Sequence, residues 1–144
     1  MADRLSKEQR SKLMKAVKGK NTLLEAKVTK ALWHKGVRFR KNVKSLIGKP
    51  DIAIKKLKLV VFLDSCFWHG CPIHCKVPKS NVEFWKLKID RNIKRDLEVT
   101  RHYREIGWDI IRIWEHELKD NFEGEVNKII DIIKERTQAK KLGQ

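Results

Sequence analysis

The apolar positions of this chain switch between a helical and an extended period, and each switch marks an element. Over residues 6–19, Leu13, Met14 and Val17 share one side of a helical projection, with Lys7, Arg10, Lys12, Lys15 and Lys18 around them. So basic and weakly apolar a segment is a marginal helix alone and is expected to order fully only against a partner. A second helix opens at residues 20–22. Thr22 and Glu25 have the T-x-x-E spacing of a capping box, Leu24, Val28, Ala31 and Leu32 form the buried stripe, and Gly36 supplies the stop. Three short extended runs follow: Val37–Arg40, Asp51–Lys55 and Leu59–Leu63. Gly48-Lys49-Pro50 turns the chain before the second run, and Lys55–Lys58 tightly connects it to the third. Asn81 to about Glu105 reads as a long helix, with Phe84, Leu87, Arg91/Asn92, Leu97 and Tyr103 at helical spacings and Gly107 as its stop. Trp108–Trp114 (WDIIRIW) is composed like a strand buried on both faces, and Val126–Ile133 marks a last amphipathic helix before the frayed tail AKKLGQ. The order α-α-β-β-β-α-β-α predicts an α/β domain: a mixed sheet with helices against its faces.

Composition narrows the class. With 144 residues, 41% hydrophobic and 36% charged, the chain fits one globular domain with a real core. No run approaches the roughly 20 apolar residues of a membrane span, and MADRLSKEQR has no apolar signal core, so the expectation is a cytoplasmic protein without a membrane partner. Three clustered cysteines with no distant partners argue for metal binding in a reducing compartment rather than a disulfide framework. The formal charge of +16 is uneven: residues 1–49 carry 15 lysines and arginines against three acids, the remainder 19 against 15. A basic N-terminal third on a nearly balanced body is the footprint of a polyanion binder.

Most of the chemistry crowds into VVFLDSCFWHGCPIHC, residues 60–75. Pro50-Asp51 heads one strand and Asp64 ends the next, so a short turn between antiparallel strands can bring two hard oxygen donors together, a pairing that suits Mg²⁺. Cys66-x4-Cys71-x2-His74-Cys75, with His116 after the last strand, offers soft ligands for a structural Zn²⁺. Five candidates compete for four places; Cys66, Cys71, His74 and His116 are favoured, with Cys75 as the substitute for His74. His69, left out of that tetrahedron yet beside a carboxylate pair, is placed as a general base. Two adjacent rings, Phe67 and Trp68, cannot both face one core. With Trp85 downstream they are candidates to wedge between or stack on bases, whereas Phe84 is expected to pack its helix onto the sheet.

These blocks resemble the very short patch (Vsr) mismatch repair endonucleases from about Arg10 to about Lys119: RSKLMKAVKGKNT, GKPDI, VVFLDSCFWHGCP, VPKSNVEFWKLKIDRNIKRD and GWDIIRIWEHEL stand in the same order. The resemblance implies a restriction-endonuclease-like, PD-(D/E)XK-related mixed sheet with a structural zinc. It implies Mg²⁺-dependent nicking of one strand of double-stranded DNA at a T·G mismatch left by deamination of 5-methylcytosine, carried out by a monomer. Carried over position by position, Asp51 looks like the metal-binding carboxylate, His69 the catalytic histidine, and Glu25 and Asp96 active-site supports. Phe67, Trp68 and Trp85 look like the inserted aromatics, with Met14 entering from the opposite groove, and Lys88 and Asn92 fall where the family reads the mismatched bases. The chain would then divide into a DNA-contacting segment over 1–20, one endonuclease domain over 21–137 and a disordered tail over 138–144. Leu63-Asp64 departs from the Thr-His of some members, and Cys66 stands where the restriction-type pattern has lysine, a role His69 would take over.

Overall fold

The computed structural model describes residues 23–73 and 75–143; the expected helix over 6–19, Met14, Thr22 and His74 lie outside the described residues. The described elements are α1 (23–34), β1 (Arg40–Lys41), β2 (Ile52–Ile54), a single 3-10 turn (Lys55–Leu57), β3 (Leu59–Asp64), α2 (Val82–Glu105), β4 (Asp109–Trp114), α3 (Glu115–Asp120) and α4 (Phe122–Gly143). They build a mixed four-stranded sheet in the order β1-β2-β3-β4. The first three strands are antiparallel, and β4 runs parallel to β3 after the α2 crossover.

All six residues of β3 are buried, because neighbouring strands cover its edges and helices cover both its faces. Val61 and Leu63 join Ile52 and Ile113 in one core with α1, α3 and α4, through Val28, Leu32, Leu118, Val126 and Ile129. Val60 and Phe62, pointing the other way, meet Ala53, Val99 and Tyr103 beneath α2. The next residue of that second set is Asp64, so the strand's alternation delivers a carboxylate to the α2 face.

Four expectations change. The register of α2 differs from the predicted spacing: Trp85, Ile89, Val99 and Tyr103 are buried, while Phe84, Leu87 and Leu97 are 57%, 58% and 62% exposed. The helix carries more apolar residues than one stripe holds, and Phe84 does not pack it onto the sheet. β4 is an edge strand with only Ile113 buried, since a strand paired on one side keeps half its surface. The first strand is Arg40–Lys41 alone; Val37 is a core residue outside it. Finally, α4 continues helically through residues 138–143, beyond the predicted domain limit of 137.

The loop before β2 closes on α2. Asn42 and Val43 N–H groups donate to the carbonyls of Asp51 and Pro50, and Tyr103 donates its hydroxyl proton to the Ile47 carbonyl. Gly48 adopts φ +77°, and a Cβ there would lie 2.7 Å from Val99 Cγ1. Gly48→Ala should therefore destabilise the domain by roughly 1–3 kcal/mol, from overpacking and left-handed strain together, measured as a lowered midpoint in thermal or urea unfolding.

Candidate active site and metal-ligand group

The β2–β3 hairpin brings Asp51 to the C-terminal end of β3, where the Leu63 backbone N–H donates to Asp51 Oδ2 at 2.7 Å. Burial pushes the Asp51 carboxyl up to about 6, against the Leu63 N–H and the nearby His69, which favour its charge; the negative charges of Glu25 and Asp64 push it further up. Acids from α1 and the end of β3 thus act on the carboxyl at the head of β2. A desolvated carboxylate repelled by neighbouring acids is the chemistry that a hard divalent cation relieves, so Asp51 fits one.

On the α2 side, Arg112 of β4 holds the site together. Its Nη1 donates to both Asp64 oxygens, at 2.9 and 3.0 Å, its Nη2 to the Asp96 carbonyl at 3.3 Å and its Nε to Thr100 Oγ1 at 2.8 Å. The guanidinium carbon lies 4.4 Å from the Phe62 ring centroid. Asp96 in turn meets His69, with Nδ1 2.6 Å from Asp96 Oδ2 and 3.7 Å from Asp64 Oδ1. Burial works against a charged His69, but the Asp96 hydrogen bond and the charges of Asp64 and Asp96 outweigh it, and the ring's pKa is raised. Sequence patterning did not single out Arg112. A signal exists all the same: an arginine inside an apolar strand must find a buried acid to pair with.

His69 sits on a loop stacked against α2. Gly70 makes that approach possible, since at φ +64° a Cβ would lie 2.5 Å from Ile93 Cδ1. Asn92 Nδ2 donates to the Trp68 carbonyl at 2.9 Å and fixes the loop at its aromatic pair. Phe67, Trp68 and Trp85 form a three-ring cluster with centroids 5.0 to 6.2 Å apart, the first two half-buried and Trp85 buried. Lys88 Nζ lies 5.3 Å from the Trp68 centroid and 5.7 Å from that of Trp85.

Behind this loop, Cys66, Cys71 and His116 bring two thiols and an imidazole nitrogen within 4.8 Å of one another. His116 Nδ1 lies 3.4 Å from Cys66 Sγ and 3.6 Å from Cys71 Sγ. The Cys66 N–H donates to Glu115 Oε1 at 3.2 Å, tying the loop to the start of α3. Burial raises the Cys66 thiol to about 11; the adjacent Cys71 adds to this and His116 opposes it. Cys75 stands apart from the three, its Sγ donating to the Phe67 carbonyl at 3.5 Å. Among the described residues, those predicted to act together stand in four groups: Glu25, Asp51 and Asp64; His69 with Asp96; the ring cluster with Lys88 and Asn92; and Cys66, Cys71 and His116.

The Asp51 shift has a consequence for stability. Its folded pKa exceeds the ordinary 3.8, so the folded state holds the proton more tightly. This contribution is fully present below about pH 4 and lost as pH rises through about 6. Without added Mg²⁺, Asp51→Asn should be about 1–2 kcal/mol more stable than the wild type at pH 8, because the uncharged amide still accepts from Leu63. That advantage should vanish by pH 4 in paired unfolding curves.

Residues 2–76 match the family described as DNA mismatch endonuclease Vsr. The chain is 46% identical over 121 residues to the type II nicking enzyme V.NmeDIP of Neisseria meningitidis serogroup C, covering 83% of this chain and 82% of that one. It is 41% identical over 134 residues to the type II nicking enzyme V.HpaIIP of Haemophilus parainfluenzae, covering 89% and 95%. To the DNA mismatch endonuclease Vsr of Escherichia coli K12 it is 37% identical over 122 residues, covering 83% and 77%. A mixed sheet that presents an Asp51 site, a His69–Asp96 pair and an aromatic cluster at one end is thus carried by a chain that belongs to the Vsr DNA mismatch endonuclease family.

Proposed function

We propose that this endonuclease nicks one strand of double-stranded DNA at T·G mismatches, with Mg²⁺ at the active site and Zn²⁺ in the Cys66 group, acting as a cytoplasmic monomer on a PD-(D/E)XK-related fold. The observation that carries the reading is the placement of His69. It shares a short loop with the Phe67–Trp68 pair, bonds Asp96, and lies near enough to Asp51 to influence its charge.

Asp51 would hold the Mg²⁺, an ion that neutralises charge on the scissile phosphate and lowers the pKa of attacking water. Asp64, with both oxygens turned to Arg112, lends negative charge beside it, and Glu25 supports Asp51 from α1. With Nδ1 committed to Asp96, His69 accepts a proton through Nε2, and the Asp96 carboxylate stabilises the imidazolium that results. Phe67, Trp68 and Trp85, with Met14, serve as the wedge at the mismatch; Lys88 and Asn92 are the positions that read its bases. The two His116-to-sulfur distances agree with the about 3.5 Å edge of a tetrahedron built from typical Zn–S and Zn–N bonds, which favours zinc. His74 or Cys75 completes the set.

The test is nicking of a panel of duplexes carrying T·G, U·G or matched pairs, with and without Mg²⁺. Asp51→Asn should nearly abolish nicking while mismatch binding survives, and His69→Ala should slow it by about 10²–10⁴-fold. Trp68→Ala should instead lose discrimination between T·G and T·A before it loses chemistry. Wild-type nicking by Asp51→Asn, or equal cutting of matched duplexes by the native enzyme, sinks the proposal.

For the zinc, elemental analysis should find about one Zn²⁺ per chain, and Cys66→Ala should lose both metal and cooperative unfolding. A folded, active Cys66→Ala without zinc would refute a structural role.

A further inference from the structure

A cleft of about 630 Å³ opens between the 44–49 loop and α2, with His69, Asp96 and Arg112 along its floor. Its two walls carry exposed cations: Lys44 and Lys49 on the loop, Arg95 on the helix. Among the described residues, Asp96 is the one acid lining it, and that side chain is already bonded to His69. None of these three cations belongs to the groups assigned above.

Lys49 is the most constrained of them. It adopts φ +51°, a left-handed conformation that strains a non-glycine residue. Its N–H donates to the Leu46 carbonyl at 3.1 Å. Gly48 is wedged against Val99 and Phe62 on one side, and on the other comes Pro50, fully buried, and then Asp51. The turn therefore has little freedom, and it displays a lysine two residues before the proposed metal carboxylate. A glycine would hold this backbone more cheaply. The side chain present instead puts a charge at the mouth of the cleft.

We propose that Lys49 and Arg95, with Lys44 beside them, form a phosphate-binding subsite that grips the DNA backbone next to the bond that is cut. The ligand is a phosphodiester: a compact anion with several acceptor oxygens, presented between cations on facing walls, and the cleft has room for a sugar-phosphate unit. The subsite positions the strand so that the scissile phosphate falls between Asp51 and His69. This rests on the nuclease reading above and adds a division between gripping residues and reacting ones.

The experiment measures the affinity of the full chain for a T·G duplex of about 20 base pairs across a salt series without added Mg²⁺, and then nicking kinetics in Mg²⁺. Lys49→Gln and Arg95→Gln should each weaken binding about 3–10-fold near 0.1 M salt and flatten the log–log salt slope by about 1, because each leaves one phosphate without its cation. KM should rise while kcat stays within twofold. Lys49→Gly removes the charge and relieves the backbone strain, so it should bind as weakly as Lys49→Gln while melting no lower than the wild type. Lys134→Gln, on α4, should change the slope less than either cleft variant. An unchanged slope in Lys49→Gln or Arg95→Gln overturns the inference, as does a fall in kcat at constant KM. A wild type that neither binds nor nicks the duplex sinks the nuclease reading itself.

Discussion

A carboxylate buried at the end of the central strand has to be paired, and the pairing of Asp64 with Arg112 is the constraint around which this end of the molecule is built. Removing either partner would leave a charge stranded between α2 and the sheet, at a cost typically of several kcal/mol. Arg112 satisfies that demand from the neighbouring parallel strand, in register with Phe62. Its remaining donors reach Thr100 and the backbone of Asp96, so one side chain sets the distance between β4 and α2. His69 is then held against a carboxylate whose own backbone is fixed.

The loop after β3 carries the rest. It is short, polar and rich in groups that would not order themselves: a histidine, two large rings and the cysteines. Three independent attachments hold it, at Gly70 against Ile93, at the Trp68 carbonyl to Asn92, and at Cys66 and Cys71 beside His116. The proposed zinc would make the third permanent, and its role would be mechanical: to hold His69 and the two rings together on one rigid turn, as a preorganised site requires.

The basic character of the chain matters in two places at different ranges. The excess of cations in residues 1–49 raises the rate and strength of any encounter with DNA, in a way that salt screens. The few cations around the 44–49 loop and Arg95 act at close range instead, where geometry decides which phosphate is held. The alternative occupant for so charged a cleft, a small anion, would not account for its continuity with His69 and Arg112.

Much of this was legible in the order of residues. The switch from helical to extended period anticipated α1, β2, β3, α2, β4 and α4 and the mixed sheet but missed the short α3, and the density of Asp, Cys, His and aromatic residues after β3 pointed to the candidate site, because such side chains have no reason to gather in a core. Local sequence could not choose the buried face of α2, where Phe84 and Trp85 compete and only the shape of the loop beneath decides. Nor could it tell that Asp64 would be spent on Arg112, since residues 48 apart in the chain meet only when β4 lies down parallel to β3. The half-exposed state of β4 followed from its place at the sheet edge, a fact about neighbours and not about WDIIRIW. What the sequence determined alone was which chemistry the chain carries and where along it; which of those groups face one another was decided by strand order and helix packing, because burial and ion pairing depend on contacts that no local pattern encodes.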